Sequence, residues 1–264
     1  MYKGSKSIAV FVLMIMLCII SCATLSPYYN NSGGYSLLGA AIPTDGTLSV
    51  FLKKSLIKDS VDIIPSELIN RAEILTLAIN DSSSVYGALE GRFVADSIRY
   101  ATGKNKIEYN SLTVMQPDSG ILIFSNGDIK QAESTLIGSR KIYRSKEEMR
   151  NIFLNDGSVC GSNISSAVIS QLFSVDVPVN KIKLALNRGK DSDINLSGTI
   201  VCYSKEDAKT LSSAIKTWII SRYRINAKTQ EVKRLYNALN VNGETIRFND
   251  VCILYSDFKA ALVF

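Results

Sequence analysis

The sequence predicts an α+β protein: internally duplicated antiparallel-sheet lobes with helices packed on one face. Three observations predict it. Two blocks recur in the same order, Leu77-Ala78-Ile79-Asn80 matching Leu184-Ala185-Leu186-Asn187 at an offset of 107, and 109–114 matching 236–241 at 127. Within the blocks, apolar residues alternate with period two, as half-buried strands require. Ser145-Lys146-Glu147-Glu148 and Ser204-Lys205-Glu206-Asp207 carry the capping pattern that opens helices.

From the N-terminus, Lys3 and Lys6 precede an apolar run from Ile8 to Ile20. As a helix this run is roughly 20 Å long against a hydrocarbon core of about 30 Å, so it is too short to span and has the flanks of a secretory signal. It ends in Ile19-Ile20-Ser21-Cys22-Ala23. An aliphatic residue at −3, a small one at −1 and Cys at +1 resemble the lipobox of bacterial lipoproteins, although Ile at −3 and −2 departs from the common Leu-Ala-Gly-Cys form. The resemblance covers only the N-terminus. It implies cleavage before Cys22 by signal peptidase II and makes Cys22 the lipid attachment site. The chain then divides into a signal peptide (1–21), a flexible tether (22–36), a first α+β repeat (37–128), a linking helical segment (129–152) and a second α+β repeat (153–264). The tether rests on Ser26, Pro27 and the pair Gly33-Gly34, a composition too polar to order itself.

In the first repeat, Leu75, Leu77 and Ile79 mark a strand, 81–84 a hairpin turn and 85–94 the return strand. A short helix is expected over 97–101. Strands follow at 112–115 and 121–124, around Pro117-Asp118-Ser119-Gly120. The linking segment opens a helix at Ser145 that runs to about Phe153, and 164–173 is a further amphipathic stretch. In the second repeat, Ile182, Leu184 and Leu186 lead through a polar turn to the strand 194–203. Ala208, Leu211, Ile215, Trp218 and Ile219 then form one helical stripe, predicted to cover the strands of Leu184, Leu186, Leu196 and Ile200. The chain closes with strands at 245–248 and 251–255. At the 107-residue offset Gly91 meets Gly198, and a strand glycine marks a bulge or a close approach.

The residues offer little catalytic chemistry. The chain has no histidine, which removes Ser-His-Asp and Cys-His catalysis and histidine zinc sites. Ser-x-x-Lys occurs at Ser55–Lys58, Ser213–Lys216 and Ser256–Lys259, but both residue types are common and no Lys-Thr-Gly accompanies them. Asp191-Ser192-Asp193 begins like a calcium loop, yet Leu196 and Cys202 stand where Gly and Glu are needed, so it reads as a hairpin turn. Cys160, Cys202 and Cys252 have no CxxC spacing. Cys160 reads as a free thiol in a loop, and Cys202–Cys252 is the most plausible disulfide if their strands are neighbours. Paired carboxylates remain open, because they need not be close in sequence.

Net charge falls from +6 to +4 once Lys3 and Lys6 leave with the signal, which does not predict nucleic-acid binding. The basic run Lys216, Arg222, Arg224, Lys228, Lys233 and Arg234 reads as a solvated helix face, with anionic lipid as its other reading. No cofactor or metal site is expected. The expectation is therefore a lipoprotein of the cell envelope, anchored to a bacterial membrane through acylated Cys22 and facing periplasm or exterior. Its body is expected to be a non-enzymatic binding or interaction module for an envelope protein or a small hydrophobic ligand. An envelope hydrolase using carboxylates or Ser/Lys, and a carrier of a hydrophobic ligand, are the alternatives.

Overall fold

The computed structural model describes residues 42–43, 45–57, 66–80, 84–94, 96, 98–99, 103–109, 111–138, 149, 154–189, 193–223 and 230–254. The signal, Cys22, the tether and the Ser145 capping box lie outside the described residues. Eleven strands form one antiparallel sheet. They are β1 (Leu48–Lys53), β2 (Ala72–Ile79), β3 (Val85–Gly91), β4 (Lys106–Tyr109), β5 (Leu112–Asp118), β6 (Ile121–Ser125), β7 (Gly157–Ile164), β8 (Val179–Arg188), β9 (Asp193–Cys202), β10 (Leu239–Asn242) and β11 (Thr245–Leu254). Among the described residues six helices have full ranges: α1 (Lys54–Ile57), α2 (Ser66–Ile69), α3 (Ile129–Glu133), α4 (Ser166–Phe173), α5 (Lys205–Tyr223) and α6 (Gln230–Ala238). One π-helical turn, Ser134–Gly138, extends α3.

The sheet order is β10-β11-β9-β8-β7-β1-β2-β3-β6-β5-β4. Its two halves meet where β1 runs antiparallel to β7, with Val50 opposite Val159. Outward from that pair the order is β1-β2-β3-β6-β5 on one side and β7-β8-β9-β11-β10 on the other. One row of facing residues reads Val50, Leu77, Gly87, Phe124, Val114 in the first half. The corresponding row in the second half reads Val159, Leu184, Gly198, Phe248, Leu239. Strand pairing thus sets Gly87, not Gly91, against Gly198, and Val114, not Leu112, against Leu239. Both slips from the sequence offsets are even, so they keep every side chain on its proper face.

Helices occupy both faces, which corrects the one-face expectation. Leu56, Val168, Ile169, Ala208, Leu211, Ile215, Ile219 and Leu235 pack with Leu75, Leu77, Ile182, Ile200 and Phe248 in the large core on one side. On the other side Ile129, Ala132 and Leu136 of α3 and its π turn pack on Ala78, Ala88, Ile121 and Ile123. β2 and β6 are therefore buried on both faces, because their second-face residues are apolar as well.

Local chemistry explains the ends. Ser204 Oγ accepts the amide of Asp207 at 3.0 Å and opens α5 as the capping pattern required. Asp128 caps α3 by accepting the Lys130 amide at 2.9 Å. β5 and β6 turn at Ser119-Gly120, where Gly120 takes φ 75°. Pro117, expected in that turn, instead lies in β5 beside an irregularity in the β5–β6 pairing, which suits a residue with no N–H to donate. The return strand β3 stops at Gly91, short of Val94. Of the short helix expected at 97–101, residues 98–99 are described and helical. The two closing strands are one strand, β11, bulged between Phe248 and Val251 with Asp250 at φ 53°.

Candidate functional site

The second half's share of the large core is not fully closed. Between the sheet and helices α4 and α5 lies a cavity of about 160 Å³. Its floor comes from Val50, Leu184, Leu196, Ile200 and Phe248. Ile169, Leu172 and Phe173 of α4 and Leu211, Ile215, Trp218 and Ile219 of α5 form the roof. Every lining residue is apolar. The predicted α5 stripe thus covers the predicted strands, with a gap between them. Gly198, held at φ 139° between Leu184 and Phe248, adds no side chain to that floor.

Trp218 is half-buried, and its ring meets Phe173 edge-on at 6.3 Å between centroids. This pair joins α4 to α5 at the cavity wall. The sequence singled out the α5 stripe and the facing strands, but not β1. The alternation Leu48, Val50, Leu52 was the available signal for it, and both Leu48 and Val50 line the cavity.

The other candidates fall elsewhere. Ser55 Oγ donates to Asp156 Oδ1 at 2.9 Å, and the Arg188 amide donates to Asp156 Oδ2 at 2.9 Å. This latch ties the end of β1 to β7 and β8; Lys58 lies outside the described residues. Ser213 is exposed on α5, and Lys216 stands 4.3 Å over the Tyr236 ring in a cation–π contact, its pKa lowered by burial. Ser256 and Lys259 lie outside the described residues, as do Asp191 and Ser192. Of the basic run, Arg234 is exposed on α6, while no side chain of Arg222, Arg224, Lys228 or Lys233 is described. Among the described residues no group of three His, Cys, Asp or Glu is placed to hold a metal ion.

The cysteines correct two expectations. Cys160 is in β7, near the middle of the sheet, and buried; the small residues around it belong to a strand, not a loop. Cys202 and Cys252 cannot bridge. Cys202 is buried in the helix-covered core, whereas Cys252 is exposed on the opposite face, paired across with Asn195. None of the three forms a disulfide. Burial, helped by the Asp207 charge, pushes Cys202 up from 9.0 to about 11. Burial, and then donation to Asp193 Oδ2 at 3.3 Å, push Cys252 to about 11.

No helix among the described residues is long and apolar enough to cross a membrane. No family model matches the chain, and no characterised protein sequence matches it either. Solved structures do. Crystal form I of TP0453 aligns with a TM-score of 0.55 at 12% identity, covering 86% of this chain and 97% of that one. Crystal forms III and IV align with TM-scores of 0.55 at 11% identity, covering 85% and 88% of this chain and 96% and 98% of theirs. The chain is similar to TP0453 in fold over nearly the whole of both.

Proposed function

We propose that this chain is an exported lipoprotein of the cell envelope, held to a membrane by acylated Cys22, whose body binds a small hydrophobic ligand without catalysing a reaction. The carrier alternative thereby becomes the specific form of the binding module. The observation that carries it is the wholly apolar cavity beneath α4 and α5. Its volume, about 160 Å³, is comparable with the roughly 150 Å³ apolar cavities that stay dry and take benzene-sized guests. The reading also includes an internal duplication, supported by the repeated strand order and the matching rows about Val50 and Val159.

Trp218 is the only tryptophan and stands in the cavity wall, so its fluorescence is a direct reporter. Titration with toluene below its solubility limit is expected to change that emission saturably. Leu184→Phe, which fills the floor, should abolish the change while leaving the far-UV circular dichroism intact. A linear response, or an equal response in the folded variant, would overturn the carrier reading. The anchor is tested separately: Cys22→Ser should leave an uncut precursor that no longer incorporates labelled palmitate.

A further inference from the structure

On the side of the sheet away from the cavity, the two halves differ in chemistry. The cross-strand rows of the first half place Ile74 beside Glu90 and Ile121, and Thr76 beside Ala88 and Ile123. The matching rows of the second half place Lys181 beside Val201 and Thr245, and Lys183 beside Thr199 and Arg247. Lys181, Lys183 and Arg247 thus stand where the first half has Ile74, Thr76 and Ile123. All three are exposed, and among the described residues none of them makes an ion pair. Strands lie about 4.8 Å apart, so Lys183 and Arg247, two strands apart, are about 10 Å from each other, within one Debye length at moderate salt.

In the second half, the carboxylates projecting from this face, Asp193 and Asp250, lie at the other end of the strands; Glu90, in the first half, is buried. Asp193 accepts from Cys252, and Asp250, in the β11 bulge, accepts from Ser197. The face is therefore positive at one end and negative at the other. Its positive end is where the N-terminal chain joins the body. Asp45 bridges to Ser162, Ser162 pairs with Lys181, and Ile42 is buried in the core cluster on this same side of the sheet. The acidic groups at that rim are Asp45, whose carboxylate takes the Asn163 amide at 2.6 Å, exposed Glu244 and Asp176, and, on the helix side of the sheet, Glu206 and Asp207 in the first turn of α5.

We infer that this basic sheet face lies against the anionic headgroups of the membrane that carries the anchor, an inference that rests on acylation at Cys22. The anchor confines the body to the surface, and the charge gradient then orients it. Helices α4 and α5, with the cavity beneath them, face away from the bilayer.

The test uses the acylated protein on vesicles of phosphatidylcholine alone, and of phosphatidylcholine with an equal share of phosphatidylglycerol. A membrane-impermeant amine reagent labels exposed lysines, read by peptide mass. On the anionic vesicles Lys181 and Lys183 are expected to lose labelling severalfold relative to the neutral ones, while Lys209, exposed on α5, is unchanged. High salt and Arg247→Gln should each weaken the protection. Equal labelling of Lys181 and Lys183 on both vesicles, with the protein retained, would overturn the orientation alone. Protection of Lys209 instead would put the helices against the lipid and overturn it too. Release of the protein from both vesicles by a low-salt wash would overturn the anchor and this inference together.

Discussion

Two thiols and three glycines show how much single positions depend on what lies across the sheet. Cys252 is exposed, yet at a pKa of about 11 only about one thiol in a thousand is ionised at pH 8, so it should react slowly with a disulfide reagent. Asp193→Asn removes the carboxylate that holds its proton, and the reaction should speed severalfold. Cys202 has the same elevation inside the core, with a signed effect on stability. The unfolded thiol ionises near pH 9.0 while the folded one keeps its proton to about 11, so its contribution is full below pH 9 and lost as pH rises towards 11. Urea midpoints at pH 8 and pH 10.5 should show that fall; Cys202→Ala should remove about half of it, because Cys252 carries the same elevation, and Cys202→Ala with Cys252→Ala should flatten it. A Cβ at Gly87 would lie 2.2 Å from the Thr76 carbonyl oxygen and 2.7 Å from Phe124; at Gly198 it would lie 2.1 Å from the Lys183 oxygen. At Gly91, beside the Ala72/Ile74 bulge, the contact is the Arg71 oxygen at 2.2 Å. Gly→Ala at any of the three should cost about 1–3 kcal/mol through overpacking, read as a lower urea midpoint.

At the scale of elements, α5 shows what a stripe read from sequence does and does not say. Ala208, Leu211, Ile215 and Ile219 are buried as their spacing requires, whereas Trp218, at the edge of the stripe, is half-buried against Phe173. Trp218→Ala should cost about 3 kcal/mol, near the lower end for aromatic truncation, because one side of the indole already lacks neighbours. Its native emission should be only moderately blue-shifted, with partial access to a soluble quencher. A fully red, freely quenched emission would contradict the packing. β7 is the element sequence reading mistook: Gly157, Gly161 and two serines look like a loop. They form a strand because β1 and β8 flank it so closely that a Cβ at Gly161 would sit 2.5 Å from the Thr47 oxygen.

For the whole molecule, the junction of β1 with β7 determines how the halves behave. Four residue pairs cross it, Ser49–Cys160 to Leu52–Gly157, and the Ser55–Asp156–Arg188 latch closes its end. The chain should therefore unfold as one cooperative unit. Trp218 fluorescence, which reports the second half, and far-UV circular dichroism, which reports both, are expected to give coincident urea transitions. Two separated transitions would mean that the sheet is only nominally continuous. Asp156→Ala should lower the single midpoint without splitting it.

The sequence alone determined what depends on local pattern: the α+β class, the strands at Leu77 and Leu184, the capped start of α5 and the helical stripe that follows. Period two and period 3.6 fix which face a residue takes, and a capping serine needs only its own helix. Register was beyond its reach, because a slip by an even number of residues leaves the same face buried; hence Gly87, four residues from Gly91, holds the place in its row that Gly198 holds in the other. Only the tertiary structure decided that one continuous sheet joins the halves, that α3 takes the second face, and that Cys202 and Cys252 lie on opposite sides. The apolar cavity belongs to that second group as well. Its walls come from β1, β2, β7, β8, β9, β11, α4 and α5, and the gap among them is set by how far α4 and α5 stand off the sheet, a distance no single segment encodes.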